Sequence, residues 1–409
     1  MLSPLMISKK DDELLGVANR SDAMGVLAVW SVRARDLVPH LTEQTTNVRG
    51  FQILVEAFRL WELYEPSHPE HAGRLDDFFL LVEQAIARTV GSHDREWPLP
   101  GSRRVKARAH ELPQISITDP DWHLLGGQKA NGLWGLYRGA SRRAGLLLDD
   151  MTRLSASTME AAILIPGLGS VAQTRFFTLA KKAMDGESVP LPTHLNNQLA
   201  RDLYDTFHEV PLAQHLYDKL VDEHAINLAL AERLATADEL DHRTFLRAAA
   251  RDLPEHRVVL EDAIRCENLL GVVESVFLWL CASKGETVEA AVAELPVDLE
   301  ALELARSAFN NSGVYRGDTA LARQTRLHER LDTSSLPALA RSVLELHRKV
   351  SEERRRAAWV WEENGVLRSD VDVAKPSDAD LQVGLAWRND YYLCPLRNIA
   401  MQLTEVLGE

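Results

Sequence analysis

Over long stretches of this 409-residue chain the apolar residues recur at every third or fourth position. A backbone with that period buries them together only as helices. Within 48–63 the positions are Phe51, Leu54, Val55, Phe58 and Trp61, and the next segment repeats them at Leu75, Phe78, Phe79, Val82 and Ile86. Between the two, EPSHPEHAG has the prolines and glycine of a helix–helix connection. The pattern is most sustained over 196–350, through Leu199, Leu203 and Phe207, then Leu212, Leu216 and Leu220, then Ile226, Leu230 and Leu234. Ser335 ahead of Pro337 reads as an N-cap with a first-turn proline, predicting a helix through Leu339, Val343, Leu346 and Val350. Residues 15–90 are read as helical too, and no fixed repeat length marks a solenoid.

Two places break that period. Residues 91–101, with SHDREWPLPGS, interrupt it with prolines and flanking glycines. Near the C-terminus Trp359, Val360 and Trp361 lead into Asn364 and Gly365, and Val366, Leu367, Val371 and Val373 lead out. An Asn-Gly pair inside such an alternation signals a two-residue hairpin. A last helix is expected over roughly 391–407. The fold class that follows is mainly α: a helical multi-domain protein with a small winged-helix-like α+β module and a short C-terminal β-hairpin. Length supports two or three domains. Composition divides the chain into an N-terminal helical domain (1–100), a winged-helix-like basic module (101–160), a helical body (161–350), and a hairpin plus C-terminal helix packing on that body (351–409).

A hydrophobic share of 45% with 26% charged residues is that of a folded chain. The net charge of −14 argues against general coating of nucleic acid, yet leaves room for one local basic face. Cys266, Cys281 and Cys394 are far apart and odd in number, which gives neither a disulfide framework nor a metal-ligand spacing. Reduced thiols point to the cytoplasm. The opening MLSPLMISKKDDELLG lacks the apolar core of a signal peptide, and the most apolar window, LLGVVESVFLWLCA at 269–282, is shorter than the roughly 20 residues of a membrane span. The expectation is a soluble cytoplasmic protein with no membrane association, no cofactor and no metal site.

The sign of the charge reverses at Arg103. Residues 101–145 hold eight Lys or Arg against three Asp or Glu, a local excess of five positive charges. The stretch 124–160, LLGGQKANGLWGLYRGASRRAGLLLDDMTRLSASTME, has the order of a winged helix-turn-helix. A helix-compatible run ends in Arg138, Arg142 and Arg143, and an apolar triplet, an Asp-Asp turn and a second extended run follow. A recognition helix within 131–144 and a wing over 146–154 would turn Lys129, Arg138 and Arg142 toward DNA, with Leu133, Trp134, Leu136 and Leu147 packed inward. Asp149 and Asp150 in the wing would repel phosphate. A winged helix making protein contacts, or a helix followed by an ordinary loop, fits the same residues. Arg103, Arg104, Lys106 and Arg108 form a second basic cluster, suited to phosphate, to a partner surface or to a solvated helix face. The candidate DNA-binding residues are therefore Lys129, Arg138, Arg142, Arg143, Arg103, Arg104 and Lys106.

Other motifs carry less. PGLGS at 166–170 lacks the Gly-Lys-Ser/Thr ending of a P-loop and the third glycine of a dinucleotide fingerprint. A connecting turn before a helix over 171–183 is the ordinary interpretation, and an anion at that helix N-terminus the alternative. The acidic pairs Asp76-Asp77, Asp149-Asp150 and Glu261-Asp262, and His194, His208, His215 and His224, make no HExxH, PD…ExK or GxSxG pattern. They read as solvated surface charge, and no catalytic residue is assigned. Cys394 before Pro395 reads as packed, and the aromatic run from Trp387 to Leu393 as the closing plug of a helical domain, with base stacking as its alternative.

Three blocks together resemble a loosely defined group of uncharacterised bacterial proteins encoded in phage-defence islands. They are Leu-Pro-Gly-Ser-Arg-Arg at 99–104, Gly-Leu-Trp-Gly-Leu-Tyr at 132–137 with Ala-Gly-Leu-Leu at 144–147, and Trp387, Tyr391, Tyr392, Leu393 and Leu396. Their order spans most of the chain. The resemblance implies a cytosolic accessory role in defence against foreign DNA and brings no catalytic residues with it. The function expected is a non-enzymatic structural or DNA-sensing subunit of an anti-phage assembly, with protein partners in a multi-subunit complex and double-stranded DNA as a possible ligand. A winged-helix transcriptional regulator, and a nuclease or hydrolase whose site assembles only in three dimensions, are the alternatives.

Overall fold

Asn47 opens a long helix, its side chain accepting from the Arg49 N–H at 3.0 Å. The helix runs Val48–Tyr64, as its periodicity predicts, and the following one runs Leu75–His93. Two short 3₁₀ turns, Glu65–Ser67 and Pro69–His71, fill the proline-rich connection. A computed structural model describes residues 22–94, 99–108, 111–165, 167–237, 241–310 and 318–408 of the chain. The expected helical start at 15, part of the proline break (95–98) and Pro166 lie outside the described residues.

By packing, the chain divides into two compact units, Met1–Leu37 with Glu239–Tyr391, and Val38–Asp238 with Tyr392–Glu409. The compositional segment 101–160 falls inside the second unit, while 1–100, 161–350 and 351–409 are each shared between the two.

In the Val38–Asp238 unit, Val48–Tyr64 and Leu75–His93 are buried on more than one face, and every residue from Phe78 to Gly91 is enclosed. Burial of each Phe or Leu here contributes about 1.5–3 kcal/mol. Gln198–His208 and Ser170–Met184 pack on Leu75–His93, and Leu133–Arg143 packs on both central helices. Ala213–Tyr217 and Ala225–Ala235 hold the terminal helix Leu393–Gly408. Gln402 ties that last helix to the first by accepting from Val48 N–H at 3.0 Å and donating to the Thr46 carbonyl at 2.9 Å. A short antiparallel ribbon pairs Gln114–Ile115 with Val189–Pro190.

In the other unit, the apolar window at 269–282 lies inside the helix Arg257–Ala282. Around it pack Leu27–Leu37, His242–Asp252, Leu299–Asn310 and Leu336–Glu353. Ser335 caps the last of these, accepting from Ala338 N–H at 3.3 Å, with Pro337 in its first turn. The C-terminal hairpin pairs Val360–Glu363 with Val366–Ser369 across Asn364 (φ 52°) and Gly365 (φ 78°), the left-handed pair a tight primed turn requires. The aromatic run after Trp387 is a plug: Tyr391 is fully buried, its ring centroid 6.0 Å from Trp30 and 5.9 Å from Trp387. Glu267 anchors it, accepting from Asn389 N–H at 3.1 Å, Asn389 Nδ2 at 2.9 Å, Tyr391 Oη at 3.0 Å and the Arg388 N–H. A ring enclosed in this way has no face left for a base.

Among the described residues no helix is long and apolar enough to cross a membrane.

Candidate nucleic-acid interface and arginine pocket

The candidate recognition helix, Leu133–Arg143, is held at its first residue by a buried carboxylate. Glu83 accepts from Leu133 N–H at 2.7 Å and from Gln128 Nε2 at 2.8 Å. Burial pushes its pKa up to about 7. Inward from this helix, Trp134 has ring centroids 5.2 Å from Phe79 and 6.0 Å from Phe58, and Tyr137 meets Phe51 edge-on at 4.9 Å. Outward lie Gly135, Arg138, Gly139 and Arg142. Gly135 is fixed by space, since a Cβ there would stand 2.0 Å from the Ala130 carbonyl oxygen. The Arg138 guanidinium sits 4.4 Å from the Trp134 centroid, a cation–π contact that keeps it on the surface. No Asp or Glu occurs from 122 to 148.

After the helix the chain turns back as expected for a wing, though with a single antiparallel bridge, Leu147 with Leu154. Leu148 N–H donates to the Arg153 carbonyl and Ser155 N–H to the Leu146 carbonyl, both at 3.0 Å. Asp150 builds the tip by accepting from Thr152 N–H at 3.0 Å and Thr152 Oγ1 at 2.9 Å. Its carboxylate therefore has a structural task, as an Asx-type turn.

The seven candidate residues divide by what they touch. Lys129 is held by Asp76 at 2.7 Å and Asp77 at 2.6 Å. Arg143 donates to the carbonyls of Pro39 (3.0 Å) and His40 (3.2 Å). Arg104 donates to those of Pro120 (3.3 Å) and Asp121 (3.2 Å). Arg103, Lys106 and Arg142 are exposed, and among the described residues neither Arg103 nor Arg142 forms an ion pair. Arg138 is half-buried on Trp134.

Arg104 belongs to a pocket that the sequence does not announce. The short helix Ser102–Ala107 presents Arg104 and, at its C-cap, Arg108; Leu75–His93 presents Arg88. The three guanidiniums gather on three successive carbonyls at the end of a short 3₁₀ turn, those of Pro120 (which also accepts from the His123 N–H), Asp121 and Trp122. Arg108 lies 4.3 Å and Arg88 5.6 Å from the Trp122 ring centroid. Glu111 pairs with Arg108 at 2.6 Å. Arg88 is only 7% exposed, and its Nη1 is buried with no hydrogen-bond partner among the described residues. Burial, with Arg108 and Arg104 adding to it, pushes the Arg88 pKa down to about 10. Arg88 and Trp122 were not among the expected site residues; the available signal was a lone arginine within the apolar run FFLLVEQAIARTV.

The remaining motifs resolve into structure. Of the glycines after 166, Gly167 lies against the Arg59 guanidinium, which is paired with Glu56, and the adjoining pocket is lined by Asp202, Asp205 and Glu209, a lining that disfavours an anion. Ser170–Met184 simply starts beyond that turn. Asp76 and Asp77 hold Lys129, and Glu261 and Asp262 hold Arg265 at 2.8 and 2.7 Å. His215 meets Thr158 at 3.0 Å, and the His224 ring lies tilted against His40, with centroids 4.6 Å apart. Among the described residues no group of three or more His, Cys, Asp or Glu could hold a metal ion. Comparison of the chain with family models, with curated proteins and with solved structures gives no match.

Proposed function

We propose that the chain is a non-enzymatic DNA-contacting subunit of a larger protein assembly, reaching duplex DNA through the outward face of Leu133–Arg143 and docking partner proteins on its acidic remainder. The observation that carries this reading is that face itself: Arg138 and Arg142 alternate with two glycines on an acid-free stretch of a chain whose net charge is −14. Glycines let a phosphate backbone approach closely, and arginine supplies the donors. Resemblance to the phage-defence-island proteins supports the cellular setting, defence against foreign DNA in the cytoplasm.

The test is fluorescence anisotropy of a labelled duplex at low salt, with Arg138→Glu/Arg142→Glu as the variant. Arg143 is left intact because it holds two backbone carbonyls. Affinity should fall steeply while the far-ultraviolet circular dichroism stays unchanged. A wild type that binds no duplex, or a variant that binds equally well, removes the DNA reading. Sustained cleavage of plasmid DNA with Mg²⁺ replaces it with an enzymatic one.

A further inference from the structure

Arg88 is the residue that needs explaining. A guanidinium 93% withdrawn from solvent, with a buried donor left unpaired among the described residues, is expensive unless a ligand completes it. Its neighbours make the site more cationic still. Arg104 and Arg108 line the same recess; its one lining carboxylate among the described residues is Glu111, paired with Arg108, while the Asp121 and Asp119 carboxylates act on Arg108 from outside the lining. Asp119, close by, is turned to the Asp121 N–H at 3.0 Å. The recess encloses about 40 Å³, bounded also by Trp122 and Thr193. A small tetrahedral anion fits a recess of that size. Both arginines lying over Trp122 exclude stacking there.

From this we propose that the pocket of Arg88, Arg104 and Arg108 binds a terminal phosphate group, a phosphomonoester dianion. A phosphomonoester carries nearly two negative charges at neutral pH and has a free end to insert. A phosphodiester inside a strand carries one and is tethered on both sides, which disfavours it in a small recess. The phosphate comes from the 5′ end of a nucleic acid or from a free mononucleotide. The first source rests on the DNA-contacting reading above; the second does not.

The experiment titrates the full chain calorimetrically with inorganic phosphate and with adenosine monophosphate, and measures anisotropy on matched duplexes bearing a 5′-phosphate or a 5′-hydroxyl. Two variants test the site: Arg88→Lys keeps the charge and loses the fork, and Arg104→Gln/Arg108→Gln changes only partly exposed positions. Folding of each is followed by thermal melting. A phosphorylated duplex should bind at least about tenfold more tightly than its hydroxyl counterpart, the preference vanishing in both variants. Glu111→Gln should tighten binding, a gain that a purely structural role of the arginines does not produce. Variant-sensitive binding of phosphate and the mononucleotide, with no preference between duplexes, supports the pocket and assigns the free nucleotide as its source. If neither duplex binds but phosphate does, the DNA reading fails and the pocket stands. No response to phosphate or mononucleotide together with equal duplex affinities overturns the proposal, as does a preference that survives both variants.

Discussion

Glu83→Gln should make the protein relatively more stable as the pH rises. The carboxyl is 4% exposed, and burial moves its pKa from 4.5 to about 7. A folded-state pKa above the unfolded one means stability that is present below pH 4.5 and lost as the pH rises through 7. At about 1.4 kcal/mol per pH unit, the full loss is about 3 kcal/mol. The surroundings say how the variant compares. Gln128 is fixed in orientation, because its Oε1 accepts from Leu124 N–H at 2.9 Å, so its Nε2 must donate to Glu83. Leu133 N–H donates to the other oxygen. A protonated carboxyl and an amide therefore share one fault, a donor set against a donor. At pH 5 the variant should lie within about 1 kcal/mol of wild type. By pH 8.5 it should have gained about 2.5 kcal/mol on it, most of that gain falling between pH 5 and pH 7 and the profile levelling above pH 7. Urea denaturation followed by circular dichroism across that range measures the difference, and the background of acidic groups common to both proteins cancels. Parallel pH profiles, or a variant that falls further behind at high pH, would refute the assignment of Glu83 as a buried carboxylate clamping the helix.

Three further substitutions probe the packing. Gly50→Ala ought to gain about 1 kcal/mol by helix propensity, but its Cβ would stand 2.4 Å from the Tyr137 ring, so a net loss of about 1–3 kcal/mol is expected in thermal or urea melts. Glu267→Gln sets an amide against the donors of Arg388, Asn389 and Tyr391 and should destabilise its unit by about 2 kcal/mol or more. His40 is buried, and that burial, with His224 beside it, lowers its pKa to about 4. Stability is then lost as the pH falls from 6.5 through 4, and His40→Phe should flatten that limb; an unchanged acid limb would show that His40 is not its source.

What was legible in the sequence was local chemistry. The helix Val48–Tyr64, the Ser335 cap with Pro337 and the turn at Asn364 and Gly365 each depend on residues within a few positions of one another. Illegible was burial of polar groups. Periodicity assigns Gln52, Glu83, Gln84 and Arg88 to a solvent face, yet all four are buried because their helices are packed on several sides. Their partners are distant in sequence: Gln52 donates to the Glu209 carbonyl, and Gln84 both donates to and accepts from the Ser116 backbone. Membership of the two units is equally non-local, since Leu27–Leu37 packs with helices beyond 241, and Leu393–Gly408 with helices before 237. Of the pocket, Arg104 and Arg108 were visible as a basic run, whereas Arg88 and Trp122 join them only through the fold.

Charge counted along a sequence is not charge offered to a ligand. Of the seven basic residues singled out, Lys129 is neutralised by two aspartates, while Arg143 and Arg104 are engaged with backbone carbonyls. Arg103, Lys106, Arg138 and Arg142 remain at the surface, wholly or in part. Counterion release makes this division measurable, because log K falls with log salt at about 0.9 for each phosphate neutralised. Three or four contacts give a slope of about −3 to −4, whereas all seven give about −6. Arg138→Glu/Arg142→Glu, at low enough salt to retain a signal, should flatten the slope by about 2. A wild-type slope near −6 would mean that DNA draws Lys129, Arg143 and Arg104 away from their internal partners, and the surface described here would then be the resting arrangement of a face that rearranges on binding.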